Sequence, residues 1–129
     1  MTEQPLVVVQ ARAGSTRLPG KVLAPIGDRP MLGLMLARLA PLADRAHLVV
    51  ATTVHDRDDP VAAVAAEAGW AVVRGDEDDV LGRFLEALGR HRADDVVRLT
   101  ADCPLIDPAV VAAALDLHRR TGADYTSNT

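Results

Sequence analysis

The run Leu6-Val7-Val8-Val9 ends at Gln10 and passes straight into Ala11-Arg12-Ala13-Gly14-Ser15-Thr16-Arg17-Leu18-Pro19-Gly20-Lys21. An unbroken apolar run without polar alternation is the pattern of a strand covered on both faces. Such strands belong to parallel sheets layered between helices, so the opening points to α/β architecture. The segment that follows restricts the chemistry. It holds two glycines, two hydroxyls, two arginines and the chain's single lysine. Glycines let backbone N–H groups approach an oxyanion without a Cβ in the way. The cations suit a ligand with several negative charges. A buried strand feeding such a loop reads as a polyphosphate site.

The rest of the chain alternates in the same manner. Met31–Leu42 is densely apolar and is predicted as a buried helix ending near Pro41. His47–Thr53 reads as a second strand. Asp58-Asp59-Pro60 is a helix start, with an Asp cap and Pro at the first helical position, and the helix stops at Gly69. Trp70–Arg74 is a third strand. The next helix starts within Asp76–Asp79 and is predicted to bury Val80, Leu81, Phe84, Leu85 and Leu88. Asp95–Leu99 is a fourth strand. Asp107 caps a fourth helix, Pro108–Arg120, whose buried side is read as Val110, Val111, Ala114, Leu115 and His118. Alternating strands and helices give a Rossmann-like, three-layer α/β/α fold around a mostly parallel sheet. Ligands of such sheets bind at the carboxyl ends of the strands. The loops after Gln10, Thr53, Arg74 and Leu99 are therefore the places for a site. Asp124–Thr129 looks like the beginning of a further strand, so the chain is expected to stop within a domain.

Composition narrows the partners. The 129 residues fit one domain, and 49% are apolar but only 2% aromatic. The core must come from Ala, Val and Leu. One Trp, one Tyr and one Phe cannot build a stacking platform for single-stranded nucleic acid. The net charge is −4 with scattered arginines, which argues against a duplex-binding face. Cys103 is the single cysteine, so an intrachain disulfide is excluded. The sequence shows neither a secretory leader nor a membrane-length apolar run. The expectation is a cytoplasmic protein without nucleic-acid or membrane partners. His47, His55, His91 and His118 are dispersed and are read as structural or solvent-exposed.

Two common phosphate motifs are absent. Walker A needs four residues between its glycines and a hydroxyl after the lysine. Here five residues separate Gly14 from Gly20, and Val22 follows Lys21. The dinucleotide fingerprint G-x-G-x-x-G does not occur in the loop either. Thr100-Ala101-Asp102-Cys103-Pro104 follows the fourth strand. An aspartate there can hold Mg²⁺ together with phosphate oxygens, or can serve as a turn residue before Pro104. The residues alone leave both open.

Gln10-Ala11-Arg12-Ala13-Gly14-Ser15-Thr16-Arg17-Leu18-Pro19-Gly20-Lys21-Val22-Leu23 resembles the signature of cytidylyltransferases that make CMP-activated sugars. The nearest branch is the family of spore coat polysaccharide biosynthesis protein F, related to CMP-KDO synthetase and acylneuraminate cytidylyltransferase. The order continues through Val50-Ala51-Thr52-Thr53, Val73-Arg74-Gly75-Asp76, Asp79-Val80-Leu81 with Arg83, Val97–Asp107, and Asp124-Tyr125-Thr126-Ser127-Asn128. The likeness covers nearly the whole chain; its first and fourth motifs are the most specific.

The resemblance implies the nucleotide-diphospho-sugar transferase type of fold. It also implies transfer of CMP from CTP to a sugar or sugar acid, with release of pyrophosphate, in cell-surface polysaccharide biosynthesis. Lys21 and Arg12 would be catalytic. Ala11, Arg12, Gly14, Ser15, Arg17, Lys21, Thr52, Arg74 and Arg83 would bind nucleotide, with Ala51, Thr52 and Arg74 near base or ribose. For Arg83 a surface ion pair is the competing reading. Asp102 would hold Mg²⁺. Full-length relatives continue past Asn128 and supply a second metal-binding aspartate, most of the sugar pocket and homodimer contacts. Residues 1–129 are then the nucleotide-binding part of one domain, expected to bind CTP–Mg²⁺ weakly and to be a poor enzyme alone. A non-catalytic nucleotide-binding module, or a transferase using another nucleoside triphosphate, is the alternative.

Overall fold

A computed structural model describes residues 4–14, 20–76, 80–90, 95–101, 106–122 and 126. Its strands are β1 (Leu6–Gln10), β2 (Pro25–Ile26), β3 (Arg29–Pro30), β4 (His47–Thr53), β5 (Ala71–Gly75) and β6 (Val96–Thr100). Its α-helices are α1 (Met31–Leu39), α2 (Asp59–Glu67), α3 (Val80–Arg90) and α4 (Pro108–Thr121).

The apolar run of β1 takes a central place in the sheet. Leu6 through Gln10 pairs in parallel with His47 through Ala51 on one side and with Val96 through Thr100 on the other. β5 pairs in parallel with β4, giving the order β5-β4-β1-β6. Leu6, Val7, Val8 and Val9 are all essentially inaccessible to water, which explains why this strand carries no polar alternation. Val9, Val50, Leu32, Leu36, Val61, Ala65, Trp70 and Val111 form one core cluster, so α1, α2 and α4 cover one face. Leu6, Val8, Val49, Val73 and Ala87 form the other, beneath α3. The fold is the predicted α/β/α sandwich.

β1 and β4 have the predicted bounds, whereas β5 and β6 each lie one residue later than predicted. The predicted Met31–Leu42 helix is α-helical only to Leu39 and continues as a 3-10 turn over Ala40–Asp44. Pro41 has no N–H to donate, so the α-helical hydrogen-bond ladder cannot continue through it. Leu85 and Val110, predicted as buried, are 59% and 45% exposed. Each is an apolar neighbour lying outside the arc its helix turns inward: α3 buries Arg83 and Ala87, and α4 buries Val111 and Leu115. The proposed strand at Asp124–Thr129 and the helix-start residues Glu77–Asp79 fall outside the described residues. The predicted turn at Gly27-Asp28 joins β2 to β3, with Gly27 at φ 66°, the sign a tight hairpin requires at its first central position.

Arg38 Nε donates to Ile106 O (2.9 Å), and Arg45 pairs with Asp116 (2.9 Å), tying α4 to α1 and its 3-10 extension. Asp107 Oδ1 accepts the Ala109 N–H at 2.8 Å, as its predicted capping role requires. Asp107→Ala is expected to cost about 1 kcal/mol of stability by urea unfolding; no loss would remove the cap from the account of α4. Among the described residues no helix is long and apolar enough to cross a membrane.

Candidate functional site

The sheet delivers its loop starts to one edge. Beyond the strands, Ala11 N–H donates to Ala51 O (3.0 Å), Ala101 N–H to Gln10 O (3.1 Å) and Val54 N–H to Gly75 O (3.0 Å). The chain therefore leaves β5, β4, β1 and β6 side by side at their carboxyl ends, where parallel sheets place ligands.

At the centre of this edge the glycine-rich loop is closed on itself. Gly20, left-handed at φ 74°, donates its N–H to Ala13 O at 2.8 Å. The N–H of Ala13 donates to Asp58 Oδ1 at 2.6 Å. Asp58 is fully buried and its second oxygen accepts the Thr53 hydroxyl. The Thr53 Oγ1 in turn accepts His55 N–H (3.2 Å). One carboxylate thus joins the base of the loop to the end of β4. The sequence reading, with Pro60 first in the helix, puts the cap at Asp59; the structure puts it one residue earlier, at Asp58, whose side chain makes no capping bond. It turns to the loop instead, where the buried N–H of Ala13 needs an acceptor.

A second side chain from the same turn reaches the loop. A Cβ built on Gly14 would lie 2.5 Å from Arg57 Nε, 2.5 Å from Nη2 and 2.6 Å from Cζ. The near-equal distances place the flat face of the guanidinium on Gly14. The Arg57 backbone N–H is fixed by His55 Nδ1 (3.1 Å). Neither Arg57 nor the side-chain role of Asp58 was picked out from sequence. The signal available was a cation in one of the four loops at the ligand edge.

The predicted site residues fall into three groups. Ala11, Arg12, Gly14 and Lys21 lie in or beside the closed loop. Arg12 is exposed, and the half-buried Lys21 has an ammonium group with no hydrogen bond or ion pair to another described residue. Thr52, Arg74 and Arg83 lie toward the β4–β5 side of the edge. Arg74 Nε donates to Thr53 O (2.7 Å), and its Nη2 donates to His55 O (3.0 Å) and pairs with Asp59 (2.9 Å). Its guanidinium therefore shapes the turn that carries Arg57 and Asp58. Arg83 is only 3% exposed and donates from Nη1 to Asp76 O at 2.6 Å, which overturns the reading of it as a surface ion pair. Its Cγ would sit 2.8 Å from a Cβ on Gly75, so a glycine is needed where it crosses β5. Thr52 is fully buried, and its Oγ1 has no hydrogen-bond partner among the described residues. Ser15, Arg17 and Asp102 lie outside the described residues.

Comparison with known proteins places this geometry. The sequence profile of the cytidylyltransferase family matches residues 6–129. The chain belongs to the cytidylyltransferase family. It is 39% identical over 125 residues to the spore coat polysaccharide biosynthesis protein SpsF of Bacillus subtilis, covering 94% of this chain and 52% of that protein. A cytidylyltransferase structure from Leptospira borgpetersenii superposes with a TM-score of 0.84 at 42% identity, over 89% of this chain and 48% of that one. The structure of CMP:2-keto-3-deoxy-manno-octonic acid synthetase complexed with CTP superposes with a TM-score of 0.79 at 30% identity, over 94% and 49%. The chain spans about half the length of the curated relatives it matches. The nucleotide-sugar transferase fold expected from the resemblance is the fold these neighbours share.

Proposed function

We propose that this chain is the nucleotide half of an enzyme that transfers CMP from CTP to a sugar or sugar acid for a cell-surface polysaccharide. The observation that carries the reading is the closed loop at the end of β1: Gly20 N–H on Ala13 O, with Lys21 following directly. A closed loop with glycines and cations at a strand's carboxyl end suits a triphosphate. That a related synthetase has been crystallised with CTP supports cytidine as the base.

In the reaction, a sugar hydroxyl oxygen bonds to the α-phosphorus of CTP. The bond from that phosphorus to the bridging oxygen of the β-phosphate breaks, and pyrophosphate leaves with the bond electrons. The protein's tasks are alignment and charge stabilisation. Backbone at Ala11 and Gly14 and the side chains of Ser15 and Arg17 would hold phosphate oxygens. Lys21 and Arg12 would offset charge on the α-phosphate and the departing pyrophosphate. Arg74 and Arg83 would shape the base and ribose wall above the buried Thr52. Asp102, which directly follows the buried Ala101 beside Gln10, offers the hard oxygen donor that Mg²⁺ prefers. A bound Mg²⁺ would screen the phosphates from the incoming oxygen. Because the chain spans about half the length of its relatives, the sugar pocket and any dimer contact would lie in the other half of such a protein.

Calorimetric titration of the full-length protein with CTP, UTP, GTP and ATP in Mg²⁺ tests the assignment. CTP is expected to bind at least about tenfold more tightly than the others, a difference of ~1.4 kcal/mol. Chelating the metal is expected to weaken CTP. Equal affinities for all four would defeat the cytidylyl reading, and CTP binding without pyrophosphate release in the presence of sugar acids would favour a non-catalytic module.

A further inference from the structure

We propose that His55 is a positioning residue of this site: its unprotonated imidazole holds the turn that aims Asp58 at the loop, so acid loosens the loop and weakens nucleotide binding. The proposal rests on the loop's reading as a nucleotide site. Three observations carry it. First, His55 caps the 3-10 turn Asp56–Asp58, which leads from β4 into α2. Its Nδ1 accepts the Arg57 N–H at 3.1 Å, and its own N–H donates to Thr53 Oγ1 at 3.2 Å. Its carbonyl accepts the Asp58 N–H at 2.9 Å and Arg74 Nη2 at 3.0 Å. Second, this turn delivers the Asp58 carboxylate, fully buried, to Thr53 and Ala13. Ala13 O in turn takes the Gly20 N–H that closes the loop. Contacts therefore run from the imidazole through the turn to Asp58, Ala13 and Gly20. Third, His55 is exposed whereas Asp58 is fully buried, so solvent protons reach the ring end of this chain directly.

The bond at Nδ1 decides which proton the ring carries. A nitrogen that accepts an N–H holds no proton of its own, so the neutral ring carries its hydrogen on Nε2. Protonation puts an N–H on Nδ1 as well, and two donors then face each other. The cap is lost, and the Arg57 N–H is left without its acceptor. Among the described residues, the charged groups on this turn and on the elements bonded to it are Asp56, Arg57, Asp58, Asp59 at the start of α2 and Arg74 from β5. Arg12 and Lys21 stand on the loop beyond Ala13. The carboxylates favour an imidazolium and the cations oppose it, but neither sign of charge restores an acceptor at Nδ1.

The test compares full-length wild type with His55→Asn and His55→Gln. Asparagine keeps an acceptor oxygen at the place of Nδ1 and does not titrate; glutamine carries its amide further out, at the place of Nε2. CTP calorimetry in Mg²⁺ at about pH 8 and about pH 5.5 spans the range in which an imidazole changes charge. Protonation of the triphosphate lowers affinity for all three proteins alike, so the comparison between them isolates the ring. Wild type is expected to match His55→Asn at the higher pH and to bind CTP about fivefold more weakly than it at the lower, the size of a lost cap. His55→Gln is expected to be about fivefold weaker than His55→Asn at both. Hydrogen exchange of the free proteins reads the turn without nucleotide. Protection of the Arg57 and Ala13 amides is expected to fall with acid in the wild type, to hold in His55→Asn and to be low throughout in His55→Gln. A merely structural cap would give wild type and His55→Asn the same pH profile, and that overturns the proposal. So does a His55→Gln protein that binds CTP as tightly as wild type at the higher pH. If the amides respond as expected but no nucleotide binds, the nucleotide reading fails and the coupling of ring to loop stands. If CTP binds and all three proteins share one profile, the reverse holds.

Discussion

Asp58→Ala is expected to lower the unfolding free energy by about 3 kcal/mol and to abolish tight CTP binding at temperatures where the variant remains folded. The side chain is fully buried, and its two oxygens serve two donors, Ala13 N–H and the Thr53 hydroxyl. Truncation leaves both donors buried without their acceptor. Each such orphan costs roughly 1–3 kcal/mol, far more than a surface contact is worth. The binding loss has a separate origin. Ala13 is the residue whose carbonyl closes the loop through Gly20 N–H at 2.8 Å. Freed of Asp58, Ala13 no longer fixes the loop relative to β4, and the ligand must order the loop itself. Asp58→Asn keeps an acceptor oxygen and the shape, so it is expected to cost only about 1 kcal/mol. Urea unfolding with CTP calorimetry checks both. An Asp58→Ala protein within about 0.5 kcal/mol of wild type would show that the carboxylate does not hold the loop.

The same residue marks the boundary of what local pattern encodes. β1 and β4 follow directly from their runs, because a strand covered on both faces has no polar position to blur its ends. The stop at Gly69 was equally legible, since it adopts left-handed backbone with φ 83°. Asp58 was assigned correctly to a helix start by its proximity to Pro60, yet its partner Ala13 lies 45 residues away in sequence. No capping rule contains that distance. Leu85 and Val110 show the converse. Val110 sits beside the buried Val111, and hydrophobicity alone cannot say which of two adjacent apolar residues faces the sheet. Arg83 was read as poised between nucleotide and solvent, and the packing of its stem against Gly75 puts it inside. The loop itself was the most legible part of the site, because its glycines, hydroxyls and cations are contiguous. Its second wall was not, because Arg57 reaches Gly14 only when the sheet brings β1 and β4 together.

Lys21→Ala in the full-length protein is expected to reduce kcat/KM by about 10²–10³ while leaving the melting temperature unchanged. The two halves of this expectation come from one observation. The Lys21 ammonium group makes no hydrogen bond or ion pair to another described residue, so its removal takes no polar contact from the described part of the fold. Its position is nevertheless fixed. Gly20 is held in left-handed backbone by its bond to Ala13, and the 3-10 turn Lys21–Leu23 begins immediately after it, with Val22 buried. A cation whose backbone is anchored and whose head is uncommitted among the described residues is arranged for a ligand more than for stability. At about 4 Å from a phosphate oxygen it contributes up to ~4 kcal/mol at a partly shielded site, against ~1 kcal/mol in open water. Charge grows on the leaving pyrophosphate as the bond to the α-phosphate breaks, so the loss belongs mainly in kcat, with a smaller change in CTP affinity. Lys21→Arg keeps the charge but spreads it over a planar fork, and is expected to lose only about tenfold. Steady-state kinetics, CTP calorimetry and thermal unfolding of the same preparations separate these terms. A Lys21→Ala enzyme retaining activity within about threefold of wild type, far above the loss typical of a removed transition-state donor, would remove Lys21 from the catalytic set.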